Sequence, residues 1–250
     1  MSSHSKSNIN AFESITELNE ALAEYIIYIA NQSILSRGRF IIALSGGQTP
    51  KSLFTFLAQP SYGDRIPWSK TFIFFVDERC VPLDDERNNA YMARTILLDH
   101  VGIPSTNIHV IPVNLPPEKA AATYEKTLTD FFGDQALTFD LILLGLGDNG
   151  HTASLFPYTD VLSEQSVGIK VVNINLLGDQ PEFRISMTAP LINQAHQIVF
   201  LVTGASKGRI LNYVLNGSYK PYEYPAQLIK PTDGELWWYT DWKAALLIES

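Results

Sequence analysis

Phe139-Asp140-Leu141-Ile142-Leu143-Leu144-Gly145, followed at once by Leu146-Gly147-Asp148-Asn149-Gly150-His151, is an apolar run that ends in a glycine turn. Such a run, with little polar alternation, does not suit a strand with one wet face. It reads as a strand buried on both sides, as in a parallel sheet covered by helices. The pattern recurs along the chain. Phe40–Leu44 ends in Ser45-Gly46-Gly47, Thr71–Val76 in Asp77-Glu78-Arg79, and Ile198–Thr203 in Gly204-Ala205-Ser206-Lys207. Helical segments lie between these runs. Residues 11–36 carry Ile15, Leu18, Leu22, Tyr25, Ile26 and Ile29 at helical spacing, Thr49-Pro50 opens a helix, and Asn88–Leu98, Glu118–Phe132 and Lys207–Leu215 read as helices. Ile108–Ile111 is expected as a short strand, and residues 155–190 as strands near the sheet edge. The fold class is therefore α/β, a mostly parallel sheet with helices on both faces. No linker is visible, so residues 11–250 are read as a single domain and residues 1–10 as a disordered N-terminus.

The bulk numbers narrow the function. A net charge of -8 argues against a nucleic-acid partner. A few local cations can still hold an anionic small molecule. The one cysteine, Cys80, excludes an internal disulfide and a cysteine-based metal cage, and fits a reducing, cytoplasmic setting. The polar start MSSHSKSNIN is unlike a secretory signal, and no apolar window approaches the ~18 residues of a membrane span. No metal and no cofactor are expected, and the chain is expected to be a monomer or a small homo-oligomer.

In open parallel sheets ligands bind beyond the C-terminal strand ends. Residues 45–49, 77–79, 145–151 and 204–207 fall there, and they hold most of the chemistry. Ser45, Gly46, Gly47 and Thr49 form a turn into a helix start, whose free N–H groups and dipole suit phosphate; a plain connection is the bland alternative. Gly145-Leu146-Gly147-Asp148-Asn149-Gly150 matches GxGxxG, but the segment before Pro157 allows only a short helix, and position 170 is Lys170 rather than an acid, so a dinucleotide site is disfavoured. His151 is expected near a helix start, where the dipole disfavours imidazolium and leaves a general base; a capping histidine is the alternative. Lys207, in the first turn of its helix, opposes the dipole unless an anion is bound; otherwise it is a solvated lysine. Asp77, Glu78 and Arg79 offer a guanidinium fork, or else a surface ion pair. Arg184 sits in an alternating stretch that suits a strand.

Together, Leu44-Ser45-Gly46-Gly47-Gln48-Thr49-Pro50, Val76-Asp77-Glu78-Arg79 and Gly145-Leu146-Gly147-Asp148-Asn149-Gly150-His151-Thr152-Ala153-Ser154-Leu155-Phe156-Pro157 resemble the 6-phosphogluconolactonase family. Arg184 with Thr188, Gly204 with Lys207, Pro225-Ala226 and the Trp237 to Ala244 region extend the match over about residues 40–245. The resemblance implies a Rossmann-like sheet shared with sugar-phosphate isomerases and deaminases. It also implies metal-independent hydrolysis of 6-phosphogluconolactone in the oxidative pentose phosphate route. The family's aspartate before the Gly-His step is Asn149 here, and Asp148 beside it is the carboxylate expected to substitute. A Ser-Asn pair of the family appears as Asn88-Asn89.

On that resemblance His151 activates water, Arg79 or glycine-turn N–H groups meet the oxyanion, and Arg184, Lys207 and the Ser45–Thr49 loop hold the phosphate. Asp77 and Gly150 complete the expected substrate contacts. No Gly-x-Ser-x-Gly elbow stands at these strand ends, which favours direct water attack. The alternatives are a glucosamine-6-phosphate deaminase or related isomerase, disfavoured by the residues after His151, and a non-catalytic phosphosugar sensor, disfavoured by the lack of a basic module.

Overall fold

The apolar runs pair side by side, and the order in which they pair is what creates a site. The computed structural model describes residues 8–174 and 182–248. In chain order it contains β1 (Asn8–Phe12), α1 (Ile15–Arg37), β2 (Phe40–Leu44), α2 (Gln48–Leu57), α3 (Pro60–Gly63), β3 (Thr71–Phe75), β4 (Asp77–Arg79), α4 (Asn89–Ile96) and α5 (Pro117–Phe132). These are followed by β5 (Leu141–Gly145), β6 (Ile169–Ile174), β7 (Glu182–Met187), α6 (Ala189–Ile192), β8 (Gln197–Val202), α7 (Gly208–Asn216), β9 (Glu235–Asp241) and α8 (Trp242–Ala245).

Six strands form one sheet in the order β1-β9-β8-β5-β2-β3, and every neighbouring pair is parallel. All of β2 and all but the first residue of β8 are buried, as continuous apolar runs require. Trp238 of β9 stacks on Phe200 of β8 with ring centroids 4.0 Å apart. Burying side chains of this size stabilises by ~1.5–3 kcal/mol each. From β2 the chain moves outward to β3, then returns to lay β5 on the other side of β2. The sheet order therefore reverses between β2 and β5. A crevice opens at such a switch point, beyond the strand ends, and here the Ser45–Thr49 and Gly145–His151 turns border it.

Four expectations change. Residues 8–12 form an edge strand parallel to β9, and α1 starts only at Ile15, where Ser14 caps it by accepting the Glu17 N–H at 3.1 Å. Residues 1–7 of the stretch expected to be disordered lie outside the described residues, and 8–10 belong to β1. Ile108–Ile111 is not a strand; Ile108 makes a single bridge to Ile73, because the turn at Ser105–Asn107 and the imide of Pro112 leave too few residues for a ladder. The strands expected near the sheet edge form a separate three-stranded antiparallel sheet, β4-β7-β6, with α5 packed on β6 and β7.

Candidate active site

The turn after β5 aims His151. Gly150, at φ 80°, donates its N–H to the Gly147 carbonyl at 3.0 Å, and Gly147 donates to the His151 carbonyl at 2.8 Å. The chain folds back until the imidazole lies directly over Gly147. A Cβ at position 147 would overlap that ring. Phe156 stacks on the other side, 4.1 Å between centroids. Asn149 Oδ1 accepts the His151 backbone N–H at 3.2 Å and meets Nδ1 at 2.5 Å. The backbone donor identifies that Asn149 atom as the oxygen, so the ring proton sits on Nδ1 and Nε2 keeps its lone pair.

Two expectations about His151 are corrected. No helix follows it; Thr152 and Leu155 form an isolated bridge, and Ala153 turns at φ 49°. Its neutrality therefore has another source. Burial lowers its pKa to about 4, with Lys207, Arg184 and Arg79 adding to the shift and Asp148 opposing it. Nor does Asp148 orient the ring. Asn149 does so, while Asp148 Oδ1 lies 2.5 Å from Lys207 Nζ. Lys207 itself stands in the short turn Ala205–Lys207 just ahead of α7.

The turn after β2 offers donors. Gly47, at φ 111°, leads into α2 without a side-chain cap, and Ser45 Oγ is buried with no partner among the described residues. Ser45, Gly46, Gly47, Thr49, Asp77, Arg79, Asp148, His151 and Lys207 line one cleft of about 500 Å³. Asn149, Gly150 and Arg184 are not among the residues that line it. A larger cavity of about 1150 Å³ adjoins it, shares Asp148 and takes in Asn149, Tyr158, Tyr213 and Tyr224. His151, Lys207 and Arg79 converge in the smaller one, which makes it the candidate site.

Asp77-Glu78-Arg79 is not a surface ion pair. Asp77 and Glu78 are buried. Glu78 accepts backbone N–H groups from Arg79, Asn89 and Ala90, and burial pushes its pKa up to about 7 against those bonds. Asp77 Oδ2 accepts the Ser154 hydroxyl at 2.6 Å. Arg79 lies opposite Arg184 in the β4–β7 register. Arg184 Nη2 is 2.6 Å from Glu182 Oε1, but its Nε and Nη1 are buried without partners among the described residues, and burial together with Arg79 lowers its pKa. Adjacent guanidiniums with unused donors are costly unless an anion sits between or beside them.

The roles of Phe156, Ser154, Glu78 and Asn89 were not anticipated from the sequence. Phe156 stood within the motif stretch, but only the reversal of the chain shows that it meets His151. Among the described residues no group of three or more His, Cys, Asp or Glu could hold a metal ion, and no helix is long and apolar enough to cross a membrane.

The chain matches the model of the family described as glucosamine-6-phosphate isomerases/6-phosphogluconolactonase over residues 13–238. It is 46% identical over 217 residues to a 6-phosphogluconolactonase of Synechocystis sp., covering 85% of this chain and 86% of that one. The solved 6-phosphogluconolactonase of Trypanosoma brucei superposes with a TM-score of 0.84 at 26% identity, covering 98% of this chain and 99% of that one. A monomeric glucosamine-6-phosphate deaminase, 20% identical with a TM-score of 0.80 over 96% of this chain and 99% of its own, shares the fold.

Proposed function

The chain belongs to the glucosamine-6-phosphate isomerase/6-phosphogluconolactonase family, and we propose from that premise that it hydrolyses 6-phosphogluconolactone to 6-phosphogluconate. The observation that carries this reading is a neutral, oriented imidazole facing a cleft lined by Lys207 and Arg79. His151 Nε2 takes a proton from water as the hydroxide adds to the lactone carbonyl. Arg79 or turn N–H groups meet the developing oxyanion. When the ring C–O bond breaks, the proton passes from His151 to the departing ring oxygen. The α2 start, Lys207 and Arg184 hold the phosphate and so fix the carbonyl over His151. Asn149 takes the family's aspartate position and holds Nδ1 with a neutral acceptor. The same reading puts the enzyme in the oxidative pentose phosphate route of the cytoplasm, which the lone thiol of Cys80 fits.

The deciding assay follows lactone disappearance above its spontaneous opening, with glucosamine-6-phosphate as a parallel substrate. Lactone turnover without amine release is expected; ammonia from glucosamine-6-phosphate would favour a deaminase.

Lys207→Ala is expected to weaken substrate binding by ~1.5–3 kcal/mol, the range for a charged hydrogen bond. Inorganic phosphate and 6-phosphogluconate should then inhibit the variant less than the parent. Equal inhibition constants would return Lys207 to a pairing role with Asp148 alone.

The pKa of His151 makes a signed prediction. In the free protein its imidazole should titrate at about 4, observable by NMR. An unfolded histidine takes its proton near ~6.5. The fold refuses that proton until about 4, so His151 opposes stability as pH falls through this window and adds nothing to the loss below it. Binding of 6-phosphogluconate brings negative charge beside Lys207 and should raise the value. Asn149→Asp, by placing a carboxylate on Nδ1, should raise it as well. Titration at the ordinary histidine value in the free protein would show that the ring is not enclosed as described.

A further inference from the structure

We propose that Asn89 is a positioning residue for Arg79 and sets its distance from the Ser45–Thr49 turn. The proposal rests on the reading that Arg79 acts on the lactone. Asn89 is the first residue of α4 and is 2% exposed. Its backbone N–H is accepted by Glu78 Oε1 at 2.8 Å, the atom that also accepts the Arg79 N–H at 2.8 Å. Its side chain is used on both sides. Nδ2 donates to the Asp77 carbonyl at 2.9 Å, and Oδ1 accepts from Arg79 Nη1 at 2.8 Å. The same Nη1 donates to the Arg87 carbonyl at 2.6 Å. Arg79 is thus anchored through one nitrogen, which leaves Nε and Nη2 for the cleft.

The amide also rests against the other wall. A Cβ on Gly46 would overlap Asn89 Oδ1 and Cγ. One buried side chain therefore touches the end of the β3–β4 segment, the guanidinium and the phosphate-loop glycine at once. A long, flexible arginine would otherwise sample many rotamers, and ordering it during the reaction would cost entropy. Asn89, itself part of the cleft lining, supplies that order beforehand through its bond to Arg79. In sequence it lies ten positions beyond Arg79, across a loop.

The test is a double-mutant cycle with Asn89→Ala and Arg79→Ala, read as kcat and KM after subtraction of spontaneous opening, with thermal melts alongside. Asn89→Ala is expected to lower kcat by about 100-fold, the scale of an ångström-sized misplacement, with a small change in KM. In the Arg79→Ala background the same substitution should cost almost nothing. Full additivity on top of a large Arg79→Ala loss would overturn the proposal and leave the role of Arg79 intact. A parent-like kcat for Arg79→Ala would reject the role of Arg79 and the proposal with it. Asn89→Ser guards against a folding artefact. Its hydroxyl stays on the Asp77 side but is too short to hold Arg79. It should melt near the parent yet lose kcat as the alanine variant does, and a folded Asn89→Ser protein with parent kcat would overturn the proposal.

Discussion

His151→Ala is expected to lower kcat by about 100- to 10,000-fold, the usual span of a general base, while phosphate-dependent binding stays nearly unchanged. The reason is local. Nδ1 is occupied by Asn149, so Nε2 is the ring's free lone pair, and burial keeps the ring uncharged at neutral pH. Lys207, Arg79 and the α2 start are left in place by the substitution, so inhibition by 6-phosphogluconate should persist. Circular dichroism and a thermal melt establish that the variant is folded. Because the lactone opens by itself, the enzymatic rate must be taken above background. A folded variant that kept more than about a tenth of the parent kcat would reject His151 as the base and turn attention to Asp77, which also lines the cleft.

Gly147→Ala should be nearly as damaging, although it adds only one methyl group to a residue with no functional side chain. The Cβ would occupy the place of His151 Cε1 and Nδ1. The ring cannot slide away, because Phe156 stacks against it and Asn149 holds its nitrogen. Either the imidazole turns out of the cleft or the turn opens. A kcat loss of at least about 100-fold is expected, matching a misplacement of about an ångström, with KM changed far less. A crystal structure or the NMR shift of the imidazole would show the displaced ring. Parent-like turnover in Gly147→Ala would mean that the ring works from another position.

How much of this was legible beforehand follows the physics of each element. The strands of the central sheet announce themselves because burial on both faces leaves unbroken apolar runs, as in Phe40–Leu44. The turns at their ends stand out through glycine. β1 escaped because an edge strand such as Asn8–Phe12 is short and half exposed, with no run to detect, and β9, although it lies inside the sheet, because Glu235 and Asp241 break its apolar run at both ends. β4 escaped because three charged letters do not look like a strand; Asp77-Glu78-Arg79 becomes one only by pairing with β7. The neutral state of His151 was expected for a reason that the fold does not supply. The dipole argument needed a helix after Gly150, whereas the actual cause is enclosure by Phe156, Gly147 and the distant cations. Asn149 was legible as a departure, but its bond to Nδ1 depends on the chain reversal. Asn89 was visible as part of the Asn88-Asn89 pair, but its role was not, since its partners come from β4 and from the turn after β2.

The pairing of β1 with β9 has a consequence for biosynthesis. Within the sheet a strand is made long before its partner, since Asn8–Phe12 pairs with residues 237–241. Joining distant segments adds little to the equilibrium cost, only ~0.6 kcal/mol for each doubling of the intervening chain. In time, however, the effect is large, because long-range pairing slows folding. During translation α1 can already settle on β2 and α2, while the segment ahead of it waits with an open edge. The growing chain must keep that edge from pairing elsewhere, and the backbone amides of Asn8–Phe12 should be the last of the sheet to become protected from exchange.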